Sequence, residues 1–223
     1  MNVKAPFAEF LGTAILTAAV IGSGIMAINL TDDMLVALLA NALATLFVLA
    51  VLIFVFSPIS GSHFNPAVTL SLAFTNQFPK KDILSFVLVQ IAGAISGAFV
   101  ANAMFGQAVV QISTHERLEL GTFLGEIVAT AFVIFVILAL LATNRANQIP
   151  LAVPLVIGGG YFFTSSTSFA NPAVTIGRIF SDTFAGIAPV SALGFMLAQL
   201  VGAVLAVVAA RYLFPVIKSA KTS

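Results

Sequence analysis

Cysteine is absent from the 223-residue chain. That excludes disulfides, thiolate metal sites and cysteine nucleophiles together, and it leaves the redox compartment open. Charge is scarce as well: 8% of residues are Asp, Glu, Lys or Arg, against roughly 25% in an average soluble domain. Too few polar side chains remain to cover a soluble surface. With 60% of residues hydrophobic and a mean hydropathy of +1.13, the natural solvent is a bilayer. A net charge of +1 argues against a nucleic-acid partner. No paired catalytic carboxylates, no nucleophile with its base and no nucleotide loop can be picked out. The chain therefore does not read as an enzyme, and neither a cofactor nor a metal is expected.

What is present is a series of apolar runs. A helix needs about 20 apolar residues to cross the hydrocarbon core. Six stretches qualify, at residues 7–28, 35–56, 83–105, 120–142, 149–163 and 189–214. The first reads as a retained span, not a cleaved signal. In the fifth, Gly158, Gly159 and Gly160 interrupt the run. Two shorter apolar pieces, 66–78 and 172–184, each follow a stretch rich in Gly, Ser or Thr and fit helices that enter the membrane only halfway. With six spans, Lys4, Lys80, Lys81, Arg145, Arg211, Lys218 and Lys221 share one side, and only Arg117 and Arg178 lie on the other. That bias places both termini in the cytoplasm.

The chain is also written twice. Ala8-Glu9-Phe10 answers to Gly125-Glu126-Ile127, and the pentapeptide from Asn65 to Thr69 recurs from Asn171 to Thr175. The frame Phe86-x-Leu-x-Gln90-x-x-Gly93-Ala94 matches Phe195-x-Leu-x-Gln199-x-x-Gly202-Ala203. The order is kept and only loop lengths differ, giving repeats of approximately 1–110 and 118–223 within one transmembrane domain, 1–223. Three spans per repeat is an odd number, so the second copy sits inverted, with the functional site where the copies meet. Asn is a good helix N-cap and Pro suits the first helical position. Asn65-Pro66-Ala67 and Asn171-Pro172-Ala173 therefore each start a half-helix. Two such starts, each carrying roughly half a positive charge, would face each other at mid-membrane and repel cations. The non-helical stretches before them, with Gly61, Ser62 and His63 in one and Ser166, Thr167 and Ser168 in the other, would line a cavity and offer carbonyl acceptors.

With these residues in view, the sequence resembles the aquaporin (major intrinsic protein) family over nearly its whole length. The resemblance implies an all-α membrane protein: a right-handed bundle of six transmembrane helices plus two re-entrant half-helices, in a homotetramer with one pore per chain. It also implies that Glu9 and Glu126 support the re-entrant loops, with Gln90 and Gln199 as structural partners. A proton-relay role for the glutamates and a pH-sensing role for His63 are the alternatives weighed. Gly12, Gly93, Gly97 and Gly202 are expected to allow close helix packing.

The chain departs from the family at the constriction. Where most members carry an arginine, Val174 stands; gapless counts put Thr45 and Gly159 at the other filter positions, with Asn41 one turn from Thr45. These replacements predict a wider, less positive filter. The run around the second Asn-Pro-Ala resembles the bacterial aquaporin S subgroup of arsenic-resistance operons. That resemblance implies a passive channel, in a bacterial plasma membrane, for neutral solutes such as arsenous acid and glycerol-sized polyols, with some water flux. A general water and glycerol facilitator is the nearer alternative and a secondary transporter the more distant one. For Arg178, one turn beyond Val174, two readings stand: it snorkels to headgroups or pairs with Asp182, or it faces the outer vestibule.

Overall fold

A computed structural model describes residues 3–215. Lys218 and Lys221, two of the seven cationic residues used for orientation, lie outside the described residues. Among those described there are eight α-helices and no strands: α1 (Lys4–Leu30), α2 (Met34–Ser60), α3 (Pro66–Phe74), α4 (Ile83–Met104), α5 (Leu120–Ala142), α6 (Ile149–Phe163), α7 (Pro172–Arg178) and α8 (Pro189–Leu213). Five of them, all but α3, α6 and α7, are long and apolar enough to cross a membrane. At 15 residues, α6 reaches about 22 Å at 1.5 Å per residue.

The glycine run does not break α6, contrary to the sequence expectation. The helix passes straight through it because two of the glycines face close neighbours. A Cβ on Gly158 would run into Leu46 of α2, and one on Gly160 into Ser168 of the following loop. Both half-helices end earlier than expected. The chain leaves α3 where the Thr75 hydroxyl donates to the Ser71 and Leu72 carbonyls and Asn76 takes φ of 59°. It leaves α7 where Asn102 of α4 reaches the carbonyl of Phe180.

Helix contacts come in matching sets. α1 packs on α2 and α4, as α5 packs on α6 and α8; α3 lies against α4 and α7 against α8. Across the repeats, α2 packs on α6, α4 on α7 and α3 on α8. The closest helix approaches use glycine. A Cβ on Gly93 or Gly97 would meet the α1 carbonyls of Phe10 or Ala14, and one on Gly202 the α5 carbonyl of Ile127. Gly12 does something different: it leaves room for the Phe64 ring of the first re-entrant loop.

Candidate functional site

Two buried carboxylates hold two loops. A buried carboxylate is tolerated only when hydrogen-bonded, and both are. Glu9 of α1 accepts from the backbone N–H groups of His63 (3.0 Å) and Phe64 (2.6 Å), from Ser60 Oγ (2.6 Å) and from Gln90 Nε2 (2.8 Å). Glu126 of α5 accepts from the N–H groups of Phe169 and Ala170, each at 2.9 Å, and from Gln199 Nε2 (2.6 Å). These anchors hold a strained backbone. Ser62 and Phe64, three and one residues before Asn65, have φ of 54° and 48°; Ser168 and Ala170, three and one before Asn171, have 53° and 47°. Left-handed non-glycine residues cost on the order of 1–3 kcal/mol each and persist only where their surroundings fix them.

Both loops deliver an asparagine to the same place. Asn65 Oδ1 caps α3 by accepting from Ala67 N (2.9 Å), and Asn171 Oδ1 caps α7 by accepting from Ala173 N (3.0 Å) and Val174 N (3.3 Å). Each side-chain amide then reaches into the other loop. Asn65 Nδ2 donates to the Ala170 carbonyl (2.7 Å), and Asn171 Nδ2 donates to the Phe64 carbonyl (2.8 Å). The starts of α3 and α7 are thus stitched together. One N–H of each amide is spent on this stitch, so each asparagine keeps a single N–H for the cavity that both line. Behind them, Gln90 and Gln199 each donate to a threonine, Thr69 and Thr175, at 3.0 Å, and those hydroxyls donate to the Asn65 and Asn171 carbonyls.

The cavity runs along four helix stripes with one residue per turn: Leu16 and Val20 of α1; Thr45, Leu49 and Ile53 of α2; Val133, Ile137 and Leu141 of α5; Ile149, Val153, Ile157 and Tyr161 of α6. Residues four apart share a helix face, so each stripe is one continuous wall. The loops and half-helices contribute Asn65, Asn171, Gly61, Ser62, His63 and Ser168, together with apolar residues such as Phe64 and Val68. Ser166 does not line the main cavity; its side chain hydrogen-bonds Glu126, and its hydroxyl meets Thr164 Oγ1 at 3.4 Å and accepts from Ser168 N at 3.3 Å. Thr167 lines a second hollow nearer the end where α2 begins. His63 lines the main cavity with its Nδ1 3.0 Å from Thr69 Oγ1, and its ring packs on Phe78 and Phe86.

Thr45 and Val174 line the main cavity, but Gly159 does not: it is exposed on the outer face of α6, with nothing within 4 Å of a Cβ built on it. Tyr161 occupies the wall instead, its hydroxyl 3.2 Å from Thr45 Oγ1. Asn41 lines the second hollow while its amide donates to Val20 O (2.8 Å) and Ser23 Oγ (2.9 Å).

The cavity has an arginine of its own, although position 174 is valine. Arg178 lines the main cavity and is 5% exposed, so it neither snorkels nor pairs with Asp182. Its guanidinium lies over the Phe169 ring, Cζ 3.3 Å from the centroid, and its Nε donates to the Ala185 carbonyl. Stacking on an aromatic face is a favourable seat for a desolvated guanidinium. Arg117, in the loop between α4 and α5, comes within 5.7 Å of the same centroid and donates to the carbonyls of Gly186 (2.6 Å) and Phe184 (2.7 Å). Burial holds Arg117 below the ordinary guanidinium range. Sequence reasoning passed over Tyr161, Phe169 and Arg117. For Tyr161 the signal was there: it ends an apolar ladder spaced by four, 149, 153, 157 and 161.

Comparison with known proteins agrees with this geometry. The family model described as "Major intrinsic protein" matches residues 1–168. An aquaglyceroporin, AqpS, of Rhizobium meliloti is 45% identical over 92% of this chain and 88% of its own length. Aquaporin Z of Brucella melitensis is 32% identical over 89% of this chain and 92% of its own. Among solved structures, the aquaglyceroporin from Plasmodium falciparum superposes with a TM-score of 0.73 over 99% of this chain and all of its own, at 24% identity.

Proposed function

The chain belongs to the major intrinsic protein family of membrane channels, and on that premise we propose that its cavity is a passive pore for small neutral polyhydroxyl solutes. Glycerol-sized polyols and metalloid hydroxides such as arsenous acid are the intended solutes, with some water flux. One observation carries this reading: the lumen is lined both by long aliphatic stripes and by the two asparagines. Stripes at 16 and 20, 45 to 53, 133 to 141 and 149 to 161 are mostly aliphatic, and the Asn65 and Asn171 amides supply donors. A solute with both hydroxyls and a carbon or metalloid centre satisfies both as it passes. Water alone would gain nothing from the aliphatic stripes. Val174 and Thr45 present small side chains to the lumen, and the name aquaglyceroporin printed for the Rhizobium meliloti relative supports glycerol as one solute.

Cation exclusion follows from the stitched half-helix starts. Each presents roughly half a positive charge at the centre of the lumen, and the single free N–H of each asparagine asks for an acceptor, which a hydroxyl oxygen supplies and a cation does not. A homotetramer with one pore per chain, set in a bacterial plasma membrane with both termini cytoplasmic, completes the reading; the Lys and Arg bias supports the orientation.

A second reading, a general water and glycerol facilitator, is favoured by Tyr161 and Arg178, which return bulk and charge to the lumen. The test is a stopped-flow panel of water, glycerol and arsenous acid on proteoliposomes of the purified chain. The proposal expects glycerol and arsenous acid to permeate well above protein-free vesicles. Water flux with arsenous acid at the protein-free level would leave the facilitator reading. No flux above background for any solute would overturn both.

A further inference from the structure

Arg178 is the one residue that lines both the main cavity and the second hollow, so whatever binds its guanidinium from the hollow stands in front of the pore. We propose that Arg117 and Arg178 form an oxyanion-recognition site in this hollow, that its occupant is a small monocarboxylate, and that occupancy closes the pore mouth to neutral solutes.

The argument starts from unspent donors. Arg178 uses only Nε on protein, at the Ala185 carbonyl. Arg117 uses Nε and one terminal nitrogen, at Gly186 and Phe184. Among the described residues, three terminal guanidinium nitrogens therefore have no protein acceptor. Neither arginine has a carboxylate oxygen within 4.0 Å: the one ion pair described joins His115 to Asp182. Of the acids near them in sequence, Glu119 serves the capping box of α5 and Asp182 holds Thr114, while Glu116, beside Arg117, is exposed and makes no ion pair with either arginine. Two guanidiniums thus share the Phe169 ring and one hollow, and no carboxylate pairs directly with either. Each raises the cost of the other, and an anion between them relieves both. The planar guanidinium fork matches a carboxylate, and the Thr167 hydroxyl adds a donor on the same wall. Met34, Leu38 and Phe184 make most of the remaining wall apolar, beside Asn41. That wall suits a short alkyl group and disfavours an ion with oxygens all round, such as phosphate.

The test measures glycerol flux through proteoliposomes of the full chain with sodium propionate, sodium chloride or sodium phosphate on both sides at equal ionic strength. Propionate should lower the flux saturably, phosphate more weakly, and chloride not at all. Arg178→Gln and, separately, Met34→Glu should each raise the half-inhibiting propionate concentration about tenfold, equivalent to ~1.4 kcal/mol, each read against the variant's own uninhibited flux. Met34→Glu keeps every arginine anchor, and an acid in the first turn of α2 suits its dipole, so it decides the matter even if Arg178→Gln does not fold. Equal effects of propionate and chloride would show only charge screening and overturn the site. Inhibition undiminished in both variants would also overturn it, and phosphate matching propionate would overturn the monocarboxylate. The readout rests on the proposed glycerol conduction. Calorimetric titration of propionate into the purified chain tests the site even if that conduction fails: heat lost in Met34→Glu supports it, and no heat in the unmodified chain overturns it.

Discussion

The two re-entrant loops share a core and differ at their rims. In both, a glutamate accepts two consecutive backbone N–H groups, a glutamine amide bridges that glutamate to a threonine, and an asparagine caps its half-helix and donates across to the other loop. The residue two before each asparagine packs on a phenylalanine of the third span: His63 on Phe86 at 5.3 Å, Phe169 on Phe195 at 5.1 Å. There the likeness stops. The free side of His63 is covered by Phe78 at 4.8 Å, a neutral aromatic lid. The free side of Phe169 is covered by the Arg178 guanidinium, with Arg117 nearby. What repeats is the apparatus that fixes the asparagines. What differs sets the character of each mouth: one end is aromatic and carries a histidine, the other is cationic.

Removing the shared core should have the largest effect. Glu9→Ala orphans the donors of Ser60, His63, Phe64 and Gln90, and Glu126→Ala those of Phe169, Ala170 and Gln199. An orphaned buried donor costs about 1–3 kcal/mol, and the strained left-handed residues lose their support as well. Both variants should melt far below the parent in detergent and yield little folded protein. A variant that melts like the parent would show that one loop does not depend on its carboxylate, and the two halves would no longer be equivalent.

The rims can be altered without touching that core. Val174→Arg adds a third guanidinium within one turn of Arg178. It should cut glycerol flux about tenfold, a barrier rise of ~1.4 kcal/mol, and water flux less, because volume and charge act together on the larger solute. Thr45→Phe should act in the same direction. Equal proportional losses of glycerol and water in stopped flow would remove residue 174 from the narrow region. A paired substitution on α6 sharpens the boundary between lumen and outer face. Tyr161→Ala should raise glycerol flux relative to water, whereas Gly159→Ala, with open space around its new methyl group, should leave the ratio unchanged and firm the helix by ~0.5–1 kcal/mol. A changed ratio in Gly159→Ala would return that position to the pore.

This pair also marks how far the sequence could be read. Helix ends came out well where chemistry marks them, as at Asn65-Pro66 and Asn171-Pro172, because an N-cap followed by proline is a local signal. The glutamate and glutamine partners could be found because they repeat in register. Gly159 was reached by a fixed count through a loop of variable length. The residue that faces the lumen, Tyr161, is two further on, and two residues are about 200° around a helix, enough to exchange pore for exterior. Arg178 could be placed on the right turn but not oriented, because its direction is set by the Phe169 ring and the Ala185 carbonyl, neither marked by local pattern. Arg117 arrives from a loop whose path depends on carbonyls at 184 and 186, so nothing near it in sequence announces its destination. Gly12 looked like a helix contact and proved to be room for Phe64, since spacing does not tell which partner fills the space a glycine leaves.

The smallest expected effect concerns a clasp that the cationic rim has and the aromatic rim lacks. Asp182 Oδ1 accepts from Thr114 N (2.8 Å) and Thr114 Oγ1 (3.0 Å), and His115 Nε2 lies 3.9 Å away. This ties the loop after α7 to the loop that carries Arg117. The backbone hydrogen bond from Thr114, with lesser help from its hydroxyl and from His115, holds the Asp182 carboxyl below its ordinary value of 3.8. A depressed carboxyl contributes stability above its unfolded pKa and loses it as pH falls through the lower folded value. The clasp should therefore hold unchanged from neutral pH to the ordinary carboxylate range and release only below it. Because Asp182 is largely open to water, screening keeps the contribution small. Hydrogen exchange at the Thr114 amide reads it directly: protected near neutral pH, faster in Asp182→Ala, and nearly as slow as the parent in Asp182→Asn, which keeps an acceptor oxygen. If Thr114 exchanges equally in all three, the two outer loops are held together by Arg117 and by the backbone bonds from Ser113 N to the Ile179 carbonyl and from Ala188 N to the His115 carbonyl, and the carboxylate is a bystander at that rim.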